Sequence, residues 1–355
     1  MKEKRKDNIR SSEGSRRKED HLDISLNGDV ENRMLSTGFE NYRFIHQALP
    51  ELDLDSIDTG TSMFGKKLSA PIMISPITGG TSEGGRLNTR LAELAHKKNI
   101  ALGIGSQRIA IEDRSFEESF KVRKTAPDIL LFANLGVVQL NYGFGPEQCK
   151  RAVDMIEADA LMLHLNPMQE AFQDGGDHDF SNLAGKIASI CKEVEFPVIV
   201  REVGFGISAD AAKMLAGAGV AGIDVGGAGG TSWIKIESSR SKDQALKNIS
   251  KSFMDWGIPT SESLEMISGA SSNIKVIASG GIRTGQDVAK AIALGADIAG
   301  AALPILKAST DPAVKAEDLI DEIILGLKVT MFGIGASNIS NLKNNRYLVK
   351  KDRIL

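Results

Sequence analysis

Residues 274–303 read IKVIASGGIRTGQDVAKAIALGADIAGAAL. A short apolar run, Ile274–Gly280, stops at paired glycines. Thr284 then stands where a helix N-cap is expected, and Thr284–Leu294 carries apolar residues at helical spacing. A second apolar run, Asp297–Leu303, follows at once. Strand, helix and strand in quick succession make a parallel crossover unit.

The unit recurs toward the N-terminus. Apolar runs at Pro71–Ile77, Ile100–Gly105, Asp128–Asn134, Ala160–Asn166, Pro197–Val203 and Val220–Gly226 complete a set of eight. Near-continuous apolar runs are typical of parallel strands buried on both faces. Between them, Asn88–Lys98 places Leu91, Leu94 and Ala95 on one helical face, and Ser208 is positioned to cap Ser208–Ala218. Eight such units predict an α/β fold, a closed (β/α)8 TIM barrel with an N-terminal extension. A doubly wound dinucleotide fold would want G-x-G-x-x-G after its first strand, and Thr78-Gly79-Gly80 is a different turn. Residues 1–20 read as a flexible basic segment, 21–70 as a lead-in, 71–342 as the barrel and 343–355 as a C-terminal tail. Gly229–Ala270 is a longer insertion before the seventh strand.

Composition excludes several classes. The 355 residues are 42% hydrophobic and 25% charged, enough for a sizeable core. Residues 1–20 hold eight basic and five acidic side chains, yet the whole chain is net −3, so nucleic acid is not an expected partner. Residues 1–15 have almost no apolar content and read as a solvated tail. Two cysteines, Cys149 and Cys191, make no disulfide framework. With no signal-type segment and no apolar run of ~18 residues, the expectation is a cytoplasmic protein that avoids membranes.

A barrel of this kind works at the C-terminal ends of its strands. Polar groups stand at those ends: Thr78, Ser106 with Arg108, Asn134, His164 with Asn166, Arg201 with Glu202, and Ser279-Gly280-Gly281 before Arg283. The glycine pair reads either as a plain turn or as a phosphate cradle on the next helix's N-terminus. Alternation puts His164 and Asn166 on one face, with Gln169 and Glu170 just beyond. A single carboxylate such as Glu170 is how Mg²⁺ is held when a phosphorylated substrate supplies the other oxygens. Asp174 and Asp177 read as solvated. Arg201, a cation at a strand end, needs a partner, either Glu202, a bound anion or an electron-rich ring. Trp233 is either packed into its loop or an aromatic lid.

In order, the sequence carries Arg17-Lys18-x-Asp20-His21, Thr78-Gly79-Gly80, Gly105-Ser106-Gln107-Arg108, His164-x-Asn166-x-x-Gln169-Glu170, Glu202-Val203-Gly204-Phe205-Gly206, Gly229-Gly230-Thr231-Ser232 and Ser279-Gly280-Gly281-Ile282-Arg283. This ordered set resembles the type 2 isopentenyl-diphosphate isomerases over about residues 16–342. The resemblance implies interconversion of isopentenyl and dimethylallyl diphosphate with reduced FMN and Mg²⁺, NADPH serving as a reductant. The runner-up is an FMN barrel doing redox chemistry on another phosphorylated or acidic substrate. It further implies flavin contacts from Pro76, Ile77, Thr78, Ser106, Asn134, Arg201, Thr231, Gly280, Gly281, Arg283 and Ala302. Diphosphate contacts would come from Arg17, Lys18, Arg108 and His164, with Asn166 and Gln169 beside them. Gln169, His164 and Asn166 become the catalytic candidates, Glu170 the metal ligand, and a homo-oligomer the expected assembly. Arg201 stands where that family usually has Lys, facing the N1–C2=O edge of the flavin.

Overall fold

A computed structural model describes residues 2–269 and 274–351, with side chains described from Gly14 onward. The eight expected strands form β1 (Ile72–Ile74), β2 (Ala101–Gly103), β3 (Leu131–Gly136), β4 (Ala160–Leu165), β5 (Val198–Glu202), β6 (Gly222–Asp224), β7 (Lys275–Ser279) and β8 (Ile298–Ala301). All pair in parallel with their chain neighbours, and β8 pairs with β1 to close the barrel.

Two cores explain why the strand sequences show no alternation. Inward residues Met73, Phe132, Met162, Ile199, Ile277 and Ile298 fill the barrel. Outward residues such as Ile74, Leu102, Leu161, Val200 and Ala278 pack with Leu91, Ile187, Val288 and Ile292 of the helical layer. The antiparallel hairpin Thr61–Met63/Lys66–Leu68 supplies Met63 and Leu68 to the inner core, closing the end of the barrel away from the catalytic mouth.

The expected helix caps are present. Ser208 accepts from the Ala211 N–H, and Thr284 from the Asp287 N–H. The long insertion folds into helices Trp233–Arg240, Gln244–Ser250 and Thr260–Ile267; its last residue, Ala270, lies outside the described residues.

Two expectations are corrected at the ends of the chain. Of residues 1–15, read as a solvated tail, all but the first, which lies outside the described residues, belong to a helix running Lys2–Asn27. Its support is tertiary, which composition cannot reveal. Leu22 is buried in the main core, and Asp20 faces Arg240 across 3.4 Å. The tail over 343–355 contains a strand, Leu348–Lys350, paired antiparallel with Tyr42–Phe44; residues 352–355 lie outside the described residues.

Candidate active site

Every candidate residue named from the sequence lines a single cavity of about 780 Å³ at the C-terminal mouth of the barrel. That volume is in the range of small-molecule and cofactor sites.

The floor continues the inward parity of the strands. Above the apolar layer stand Ser75, Asn134, His164, Arg201, Asp224 and Ser279. His164 Nδ1 lies 2.7 Å from Asn134 Oδ1. An amide oxygen only accepts, so Nδ1 carries the proton in the neutral ring. Burial, with Arg201 and Lys18 nearby, pushes the His164 pKa down to about 3. The ring is therefore neutral at physiological pH.

Arg201 does not pair with Glu202. Strand alternation turns the two apart, and Glu202 instead accepts the backbone N–H groups of Gly204 and Phe205 at 2.7 and 2.6 Å. The partner of Arg201 is Asp224, its register neighbour on β6, with Nε 3.4 Å from Oδ2. Asp224 is completely buried and accepts the Ser279 hydroxyl at 2.6 Å.

At the end of β4, Asn166 stands just before the short helix Pro167–Phe172, which carries Gln169 and Glu170, without a side-chain capping bond. Glu170 Oε1 accepts from Asn166 Nδ2 at 2.9 Å, and Oε2 accepts from Gln173 Nε2 and the Asp177 N–H, each at 2.8 Å. Burial raises the Glu170 pKa against these bonds. Asn166 Oδ1 is buried without a hydrogen-bond partner. Asp177, read as solvated, bridges Arg108 Nη1 at 2.5 Å and Gln139 Nε2 at 2.9 Å. It holds the Arg108 guanidinium against the cavity wall. Asp174 is exposed, as expected, while still accepting from Ser241.

The glycine end is built differently from the expectation. At the N-terminus of helix Gly285–Ala293, Thr284 and Asp287 form a capping box, and Asp287 accepts from the N–H groups of Arg283 and Thr284. The N-terminus left free is that of Leu303–Thr310 after β8, where Ala302 provides no side-chain cap. Its donors and those of the Gly280-Gly281 loop border the same cavity. Gly281 has φ +78°, and a methyl there would be driven into Thr37. Its glycine is thus required by packing as well as by any ligand. Arg283 reaches Glu31 at 2.5 Å.

The N-terminal helix roofs the mouth and brings Arg17 and Lys18 into the cavity. Lys18 Nζ donates to Ser106 O at 2.7 Å and lies 5.0 Å from the centre of the Phe120 ring. Burial, aided by Arg17, lowers its pKa to about 7. Burial also lowers the Arg17 pKa, opposed chiefly by Glu170. Trp233 is packed rather than free: its ring meets His21 edge-on, with centroids 5.2 Å apart.

Sequence reasoning missed two residues. Asp224 hides inside an apolar strand, and only its inward parity beside Arg201 could have exposed it. Glu237 sits in the long insertion, 1% exposed. It accepts from Gln169 Nε2 at 3.0 Å, and lies 2.8 Å from His21 Nε2 and 2.7 Å from Arg240 Nη1. Burial works against its charge, but His21, Gln169 and Arg240 together hold its pKa below the usual carboxylate value. Its signal was the i, i+4 relation to Trp233.

Comparison with known proteins identifies the family. The FMN-dependent dehydrogenase family model matches residues 15–122 and 144–350. An isopentenyl-diphosphate delta-isomerase of Nostoc sp. is 47% identical over 335 residues, 94% of this chain and 96% of the relative. One from Synechocystis sp. is 50% identical over 326 residues, 92% and 93% of the two chains. Among solved structures, a flavocytochrome b2 mutant with pyruvate bound superposes with a TM-score of 0.65 at 18% identity, covering 94% of this chain and 85% of that one. A mutant of (S)-mandelate dehydrogenase gives 0.64 at 17% identity, covering 94% and 99%. The structural likeness shows the barrel alone; the sequence matches carry the rest, and by them the chain belongs to the FMN-dependent dehydrogenase family and, within it, to the FMN-dependent, type 2 isopentenyl-diphosphate delta-isomerases.

Proposed function

We propose that the protein interconverts isopentenyl and dimethylallyl diphosphate with reduced FMN and Mg²⁺ bound in this cavity. The observation that carries the proposal is the presence of two separate anion-binding ends in one cavity. One end joins the Gly280-Gly281 loop, the free helix N-terminus after Ala302 and Arg283, and suits the phosphate of FMN. The other gathers Arg17, Lys18 and Arg108 beside Glu170, and suits a diphosphate.

The residues between these ends fit a flavin. Pro76, Ile77, Gly300 and Ala301 give apolar wall, while Ser75 Oγ and Arg201 Nε are buried polar atoms without hydrogen-bond partners. Thr78, Ser106, Asn134 and Thr231 supply further polar contacts along the wall. In this reading Arg201 would meet the N1–C2=O edge of the flavin. The other end fits Mg²⁺. Glu170 offers a carboxylate, the unpartnered Asn166 Oδ1 offers a second hard oxygen, and substrate oxygens would complete the shell. Among the described residues no group of three or more His, Cys, Asp or Glu is arranged to hold a metal, as expected if the diphosphate supplies the remaining ligands.

Moving a double bond requires one proton delivered to carbon and another removed. His164 is neutral and held by Asn134, and Glu170 is committed to the metal. Reduced FMN supplies the acid–base group the side chains lack. The chain itself binds and orients. Arg17, Lys18 and Arg108 fix the diphosphate, Glu237 aligns Gln169 against the isoprenoid carbons, and the roofing helix excludes water. NADPH is the proposed reductant, the cytoplasm the location and a homo-oligomer the assembly. Among the described residues no helix is long and apolar enough to cross a membrane.

The test is an anaerobic incubation of protein, FMN, Mg²⁺ and NADPH with isopentenyl diphosphate. Dimethylallyl diphosphate should form without stoichiometric loss of reductant. Consumption of reductant with no isomer would favour the redox alternative.

A further inference from the structure

We propose that Asp224 is a positioning residue that holds the Arg201 guanidinium and sets the reduction potential of the bound flavin; this rests on the reading that Arg201 faces the flavin. Three strands converge on the arrangement. Pairing of β5 with β6 puts Arg201 opposite Asp224, and β6 on β7 brings Ser279 within reach. Asp224 is 0% exposed and Arg201 8%. A buried carboxylate directly behind two residues that line the cavity, Arg201 and Ser279, is costly unless they use it.

The contact is deliberately loose on one side. Ser279 holds Asp224 Oδ1 at 2.6 Å, whereas Oδ2 faces Arg201 Nε at 3.4 Å and neither atom has a hydrogen-bond partner. A guanidinium has two usable edges. With Nε turned to Asp224, the terminal nitrogens are left for the cavity. The carboxylate therefore aims the cation and offsets part of its charge. A bare cation at that edge would favour the electron-rich reduced flavin strongly, and the Asp224 charge moderates this.

The experiment is an anaerobic redox titration of bound FMN in the parent, Asp224→Asn and Arg201→Ala. Asp224→Asn keeps the shape and removes the charge, so the potential should rise, whereas Arg201→Ala should lower it. A tenfold change in the ratio of reduced to oxidised flavin affinity corresponds to about 30 mV for a two-electron couple, and at least that is expected for each variant. A merely structural Asp224 would lower the melting temperature and leave the potential alone. If Arg201→Ala shifts the potential and Asp224→Asn does not, the inference is wrong while the flavin seat stands. If neither shifts it, the flavin does not sit against Arg201 and both fail. Should Asp224→Asn lose FMN, Asp224→Ser, which keeps a hydroxyl for Ser279, is titrated in its place. Loss of FMN from both would make Asp224 a folding residue and overturn the proposal.

Discussion

Diphosphate binding should draw a proton from solution, and Lys18 should be its main destination. Burial, with Arg17 beside it, holds the Lys18 pKa at about 7. At pH 8 that leaves roughly 0.1 of the side chains charged, and at pH 6 roughly 0.9. A bound diphosphate supplies the missing negative partner and restores the full charge. Proton uptake should therefore be roughly 0.9 per site at pH 8 and fall to roughly 0.1 at pH 6. His164, with its pKa near 3, is too far down to contribute much. The assay is titration calorimetry of isopentenyl diphosphate into FMN-loaded protein, in buffers of different ionisation enthalpy. Lys18→Met is the control, since it removes the group and keeps the stem. Equal uptake in parent and Lys18→Met, or uptake that does not grow from pH 6 to pH 8, would refute the assignment.

Lys18 also makes a stability prediction of definite sign. Its folded pKa lies below the ordinary lysine value, so between about pH 7 and 10.5 the unfolded chain binds more protons and stability rises with pH. Lys18→Met should raise the melting temperature of the substrate-free protein most at pH 7 and progressively less toward pH 10. Glu170→Gln should raise the Mg²⁺ concentration for half-activity at least about tenfold and leave FMN affinity near the parent value, as measured by flavin fluorescence titration. Removing residues 1–18 should raise KM for the diphosphate sharply while the yellow cofactor stays bound; steady-state kinetics and absorbance read both. Gly281→Ala meets a left-handed backbone and the Thr37 methyl together, and should cost about 2 kcal/mol or more in urea unfolding.

The barrel was legible because its strands are buried on both faces. Ile199 fills the inside and Val200 the helical layer, so apolar runs appear where a half-exposed strand would alternate. The mouth was legible because polar residues at strand ends have no reason to be there unless something binds. What stayed hidden was pairing. Asp224 lies in the run Val220–Gly226 and looks like a strand residue until the register sets it beside Arg201. Asp177 looked solvated because its partners, Arg108 and Gln139, come from earlier loops. Asp287 takes part in a local capping box at the N-terminus of its own helix, which the glycine pair alone did not reveal. The N-terminal helix was missed because its support comes from the insertion after β6, more than two hundred residues later in the chain.

That separation fixes when the site comes into being. The arm bearing Arg17 and Lys18 precedes every barrel strand, and its seat joins an early contact, Lys18 Nζ on Ser106 O, to late ones. Asn32 N–H donates to Gly230 O, Asp20 meets Arg240, and Tyr42–Phe44 pairs with Leu348–Lys350. The segment that follows the arm is fully paired only when residues 348–350 meet Tyr42–Phe44. A nick or a fused tag near the C-terminal strand would be felt at the opposite end of the chain, as a protein that takes up FMN and grips its substrate poorly.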